Sequence, residues 1–178
     1  MNRETVRTPQ FFGVNSESGF SLMEILMVLA IIAVLIAGAV ALLGAASETT
    51  NIQAEQQTIN GICSGVTNLF NNSSDYTGLD NSLVESANIF PVGVVRGGQA
   101  KNKWGGDITV APGASTDEFT ITYTEVPEDA CLQLGVFNHK TWESVTINGD
   151  AIDQADDNPV PLVSAACDET NTIVYTSR

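Results

Sequence analysis

Positive charge is scarce in this chain: 7 Lys and Arg stand against 21 Asp and Glu, a formal net charge of -14 over 178 residues. Phosphate binding needs clustered cations, so nucleic acid is not expected as a partner through the bulk surface. The one local basic spot, Lys101 and Lys103 near Arg96, reads as a solvated loop. Histidine is represented by His139 alone, and the three cysteines, Cys63, Cys131 and Cys167, are too widely spaced for a zinc cluster. His139 has no identifiable cysteine or serine partner and reads as a surface histidine, so neither an enzyme nor a cofactor or metal centre is expected. Asp150, Asp153, Asp156 and Asp157 offer the several carboxylates that calcium wants. They lack EF-hand spacing and read as a solvated acidic loop. The acidity favours solubility and makes copies of the chain repel one another. An assembly of such copies must be held by something other than surface charge.

What the sequence has instead is one long apolar run. Ile25 to Leu43 reads ILMVLAIIAVLIAGAVALL, 19 residues without a charge, interrupted only by Gly38. A bilayer span needs about 20 apolar residues at ~1.5 Å of rise each. No second apolar region is large enough to wrap this segment as a buried core helix. An ordinary signal peptide wants a basic n-region and an apolar stretch of about 7–15 residues. Ala39-Val40-Ala41 offers a small-x-small cleavage site, but the run is overlong and Arg3 and Arg7 are balanced by Glu4 and Glu17. Glu24 fits that reading least, because it sets a carboxylate directly against the apolar run. A charge inside a membrane segment costs at least ~2.5 kcal/mol and asks for a functional explanation. Gly38 costs about 1 kcal/mol relative to alanine in a helix. It marks either a point where the helix loosens or a close-packing notch.

Gly19-Phe20-Ser21-Leu22-Met23-Glu24, followed by the apolar run, resembles the type IV prepilin signature. The resemblance implies that a dedicated prepilin peptidase cuts between Gly19 and Phe20, removing residues 1–19 as a leader. Phe20 becomes the new, N-methylated terminus, and Glu24 pairs in the filament with the Phe20 amine of a neighbouring subunit. Gly38 gives the bundled helix its flexibility. Glu17-Ser18 stand where family leaders commonly carry a basic residue. The length of the leader points to the type IVb branch, similar to toxin-coregulated pilins and conjugative-plasmid thin-pilus subunits. Trp104-Gly105-Gly106-Asp107 and Val126-Pro127 before Cys131 point the same way. The function implied is that of a structural subunit, inserted in the bacterial inner membrane and polymerised with other copies by the pilus assembly machinery. The product is an extracellular filament for adhesion, aggregation or conjugative contact. A minor pilin or a type II secretion pseudopilin shares this architecture. A soluble secreted binding protein or enzyme is the alternative from another class.

Beyond the run, Ile52, Ile59, Ile62, Val66, Leu69 and Phe70 keep a helical spacing, and no proline interrupts Ser21 to Phe70. Residues 20–46 are therefore expected as a transmembrane and filament-core helix, and 47–178 as its amphipathic continuation plus a globular domain. Asp75 to Gly106 reads as an irregular connection. Strands are expected at Asp107–Val110, Phe119–Thr124, Trp142–Ile147 and Thr172–Thr176, with a short helix over Pro127–Val136. The fold class is α+β, a long N-terminal helix packed on an antiparallel sheet. On the residues alone all three cysteine pairings are open, and Cys63, near the apolar face, reads as a buried free thiol. The type IVb resemblance implies a Cys131–Cys167 disulfide.

Overall fold

The computed structural model describes residues 20–178, and for residues 39–46 the backbone alone. Gly19, and with it the expected leader, lies outside the described residues. The chain divides into two compact units, Met1–Leu43 and Gly44–Arg178. Helix α1, Leu22–Leu69, begins in the first unit and ends in the second. In the first unit every described side chain is exposed, from Phe20 and Leu22 to Ile36. Among the described residues no helix is long and apolar enough to cross a membrane. The expected span, Ile25–Leu43, extends beyond the side chains that are described.

The second unit is built on the remainder of α1. Ile52, Ile59, Ile62 and Val66 are fully buried, so the helical spacing read from the sequence does mark a core face. Leu69 departs from it. It is 44% exposed, because α1 ends there and the chain turns away, leaving only Phe70 packed against the core. Gly61 and Gly65 sit inside the helix without breaking it.

The expected irregular connection contains ordered elements. Helix α2, Asn81–Ser86, is capped by the Asp80 carboxylate, which accepts the Leu83 N–H at 2.7 Å. Strands β1, Val95–Arg96, and β2, Gln99–Ala100, form an antiparallel hairpin across Gly97-Gly98. Both of these glycines have positive φ. The chain then enters β3, Ile108–Pro112, and β4, Phe119–Pro127. Along β4 the alternation works as expected: Phe119, Ile121 and Tyr123 are buried and the intervening threonines only partly so. A register shift between Tyr123 and Val126, with Glu125 at φ 54°, carries the strand on to Pro127.

Helix α3, Glu128–Gly135, follows directly, and a 3-10 turn at His139–Thr141 leads into β5, Ser144–Ile147. Strand β6, Asp150–Ile152, helix α4, Val160–Ala166, and strand β7, Thr170–Ser177, complete the unit. The large sheet is antiparallel throughout, in the order β3-β4-β7-β5-β6. Its inward residues, such as Ile108, Tyr123, Ile173, Tyr175 and Val145, join the α1 isoleucines and α3 Leu134 in one core. Each such aliphatic side chain, fully buried, contributes about 1.5–3 kcal/mol. The Tyr175 hydroxyl donates to the Leu134 carbonyl at 3.0 Å, which satisfies the polar end of a fully buried ring. The result is a long helix packed on a five-stranded antiparallel sheet.

Candidate assembly site

The N-terminal turn of α1 is organised by Ser21. Its hydroxyl accepts the Met23 N–H at 3.3 Å, and its carbonyl accepts the N–H groups of Glu24 and Ile25 at 3.0 and 3.1 Å. Ser21 is thus the N-cap and Glu24 stands three residues on, the spacing of a capping box. A carboxylate here is also favoured by the positive end of the helix dipole. Phe20 and Glu24 line one shallow groove of about 240 Å³ together with Ile25, Val28 and Leu29. Two of the residues expected to act in assembly therefore share a site. Phe20 is 79% exposed and the apolar side chains that follow it are exposed as well. A contiguous exposed apolar surface is the kind that marks protein–protein or membrane contact. At Gly38 an added Cβ would meet nothing within 4 Å, so nothing packed within the chain demands glycine there.

The cysteines separate into a pair and a single thiol. Cys131 of α3 and Cys167 at the end of α4 form a disulfide, with Cα atoms 6.0 Å apart. Cys63 is free. It is half-buried rather than buried, because it lies at the margin of the α1 apolar face, where its thiol reaches the Ser177 hydroxyl at 3.6 Å.

Three other expectations change in detail. His139 is half-buried rather than on the surface, with Nε2 3.2 Å from the Asp156 carbonyl oxygen. The acidic stretch is not all loop: Asp150 begins β6, while Asp153 and Asp156 accept backbone N–H groups two residues ahead. Asp157 pairs with Lys140, which holds its carboxyl below the ordinary 3.8. Among the described residues no three His, Cys, Asp or Glu side chains gather as a metal site. The basic spot is also more than a solvated loop. Arg96 ends β1, and Lys101 pairs with Asp107 at 2.6 Å.

Arg96, Lys101 and Lys103 rim a cavity of about 380 Å³, closed on one side by Ala54, Glu55 and Thr58 of α1. Glu55 is 1% exposed, and its Oε1 accepts the Lys103 N–H at 2.7 Å. Neither Oε2 nor the buried Tyr123 hydroxyl makes a hydrogen bond among the described residues. Burial pushes the Glu55 carboxyl above its ordinary value. The Lys103 N–H, the Tyr123 hydroxyl and the charges of Lys103 and Arg96 partly oppose that shift. Buried Asn102 fixes the neighbouring turn. Its amide donates to the Thr124 carbonyl at 2.7 Å, and its oxygen accepts the N–H groups of Trp104 and Gly106 at 3.0 Å each. Trp104 in turn donates Nε1–H to Glu48 at 2.9 Å. The sequence reading did not single out Glu55 or Asn102. The available signal for Glu55 was positional: it sits between Ile52 and Ile59 on the stripe that becomes the core face.

Comparison with known proteins adds the following. Residues 49–178 match the family described as PilS N terminal, and residues 14–40 match the prokaryotic N-terminal methylation motif. The chain is 27% identical over 180 residues to the major structural subunit of bundle-forming pilus of Escherichia coli O127:H6 (strain E2348/69 / EPEC). That match covers 89% of this chain and 93% of the relative. The same figures hold for the protein of the same description from Escherichia coli O111:H-. Among solved structures, TcpA, a type IV pilin from Vibrio cholerae El Tor biotype, shares the fold with a TM-score of 0.53 and 13% identity. The similarity covers 72% of this chain and 99% of that one.

Proposed function

Because the chain belongs to the PilS N terminal family, matching it over residues 49–178, we propose that it is the major structural subunit of a type IVb pilus. The observation that carries this reading is the exposed apolar start of α1, with Phe20 and Glu24 in one groove at its tip. The methylation motif matched over residues 14–40 supports removal of residues 1–19 by a prepilin peptidase and N-methylation of Phe20. The relatives named as major structural subunits support the major rather than a minor role. Residues 20–46 then form the filament core, and 47–178 the helix continuation and the outer domain.

The chemistry follows from where the charges go. The subunit waits in the inner membrane through the run Ile25–Leu43, with the Phe20 amine and Glu24 near one interface and in reach of water. Machinery then transfers it to the extracellular filament, where apolar helices exclude that water. An unpaired charge there costs several kcal/mol, whereas a well-made ion pair recovers most of it. Glu24 of an incoming subunit pairs with the Phe20 amine of its neighbour, which fixes axial register as well as energy. Gly38 lets the helix loosen within the bundle. The role is structural and requires no catalysis.

Glu24→Ala tests this. The variant is expected to be cut after Gly19 and to insert normally, with filaments reduced about tenfold or more when counted by electron microscopy. Normal piliation would remove Glu24 from the mechanism.

A further inference from the structure

Five cations lie among the described residues: Arg96, Lys101, Lys103, Lys140 and Arg178. Lys101 is held by Asp107, Lys140 by Asp157, and Arg178 by Asp117, Glu118 and Glu143. Arg96 and Lys103 make no salt bridge among the described residues, although acidic groups outnumber basic ones three to one in the whole chain, 21 against 7. Both stand beside the exposed tip Pro91-Val92-Gly93, on the rim of the cavity above Glu55. Arg96 Nε donates to the Gly93 carbonyl at 2.9 Å and so steadies the tip. Val92 is fully exposed, at 107% of its reference area. The tip is an apolar knob flanked by two cations that make no salt bridge among the described residues.

The same unit carries a hole of opposite character. Glu48, Thr49 and Ile52 of α1 and Asp129, Leu132 and Gln133 of α3 line a groove of about 320 Å³. Buried Ile52 and half-buried Leu132 form its apolar floor, and Glu48 and Asp129 its acidic rim. Neither carboxylate makes a salt bridge among the described residues.

We propose that the Pro91–Gly93 tip of one subunit seats in the Glu48–Asp129 groove of a second copy of this chain. Val92 then lies over Ile52 and Leu132, and Arg96 and Lys103 lie against the acidic rim. Copies of net charge -14 repel one another, so contact between their outer domains needs local complementarity of this kind. The contact joins two different patches, so it is heterologous, the class of contact from which open helical polymers are built. This inference rests on the pilus-subunit reading and adds the outer-domain contact to it.

The test uses the full-length chain expressed with its assembly machinery. In a Cys63→Ser background, Val92→Cys combined with Gln133→Cys is expected to give a disulfide-linked ladder in sheared filaments, and each single substitution none. Arg96→Glu with Lys103→Glu should lower filament yield about tenfold, and adding Asp129→Lys should restore most of it. Filaments of normal yield without a ladder from the cysteine pair overturn this contact and leave the pilus reading standing. Charge reversal that Asp129→Lys fails to rescue, with no ladder, does the same. If the unaltered chain makes no filament at all, the pilus reading fails and this contact fails with it.

Discussion

Glu55 is a carboxyl placed on the core stripe of α1, and its energetics run opposite to those of the surface acids. Burial raises its pKa above the ordinary 4.5, so the folded protein holds this proton more tightly than the unfolded chain does. Its contribution to stability is full below pH 4.5 and is lost as pH rises through the raised folded value. Asp75, whose carboxylate accepts the Thr77 N–H at 2.9 Å, and Asp157, beside Lys140, are lowered from 3.8. They act in the opposite sense, contributing above pH 3.8 and losing that contribution in acid. Glu55→Gln keeps an acceptor for the Lys103 N–H and removes the charge. Its melting temperature is expected to gain on the unaltered protein as pH rises from 4.5 to 7, by about 2–4 °C for each kcal/mol relieved, and to converge with it near pH 4. A variant that falls steadily behind as pH rises would show that the ionised form is stabilising. At this scale the sequence was readable where period and burial agree, as at Ile52, Ile59, Ile62 and Val66. It was unreadable at Glu55, whose type argues for the surface and whose position argues for the core.

Among the elements, the long and strongly patterned ones announced themselves. The apolar run and the stripe beyond it belong to α1, and the alternation of Phe119, Ile121 and Tyr123 belongs to β4. The elements that were missed are short: α2, the β1–β2 hairpin, β6 and α4. A six- or seven-residue helix completes too few turns to show a period, and two-residue strands show no alternation. Strand β6 did have a signal in Asn148-Gly149, an Asn-Gly pair with both residues at positive φ. The surrounding aspartates obscured it. Helices α3 and α4 are small for the load they carry, and the Cys131–Cys167 link ties one to the end of the other across a sequence separation of 36. In the loop-entropy account such a closure contributes about 3–4 kcal/mol. Cys131→Ala with Cys167→Ser should therefore lower the denaturant midpoint of the protein markedly, and added reductant should reproduce that loss. A midpoint unchanged by both would mean that packing alone holds α3 and α4 in place.

On the scale of the molecule, two kinds of surface coexist. The second unit has a complete core, whereas the described side chains of the first unit, apolar ones and Glu24 alike, are exposed. The prepilin-like signature at Gly19–Glu24 made that division legible from the sequence, and the family match over residues 49–178 bears on the second unit independently. The tip and groove that would join outer domains were not legible. Their residues, Val92 and Arg96 on one side and Glu48 and Asp129 on the other, converge only after folding. The account as a whole depends on whether the apolar helix outlasts maturation. Mass spectrometry of subunits from sheared surface filaments measures this directly. The expected N-terminal peptide begins with monomethylated Phe20 and continues through Glu24 into the apolar run. A mature product beginning near Ala41 or Ser47, recovered as free protein, would contradict the account at its foundation.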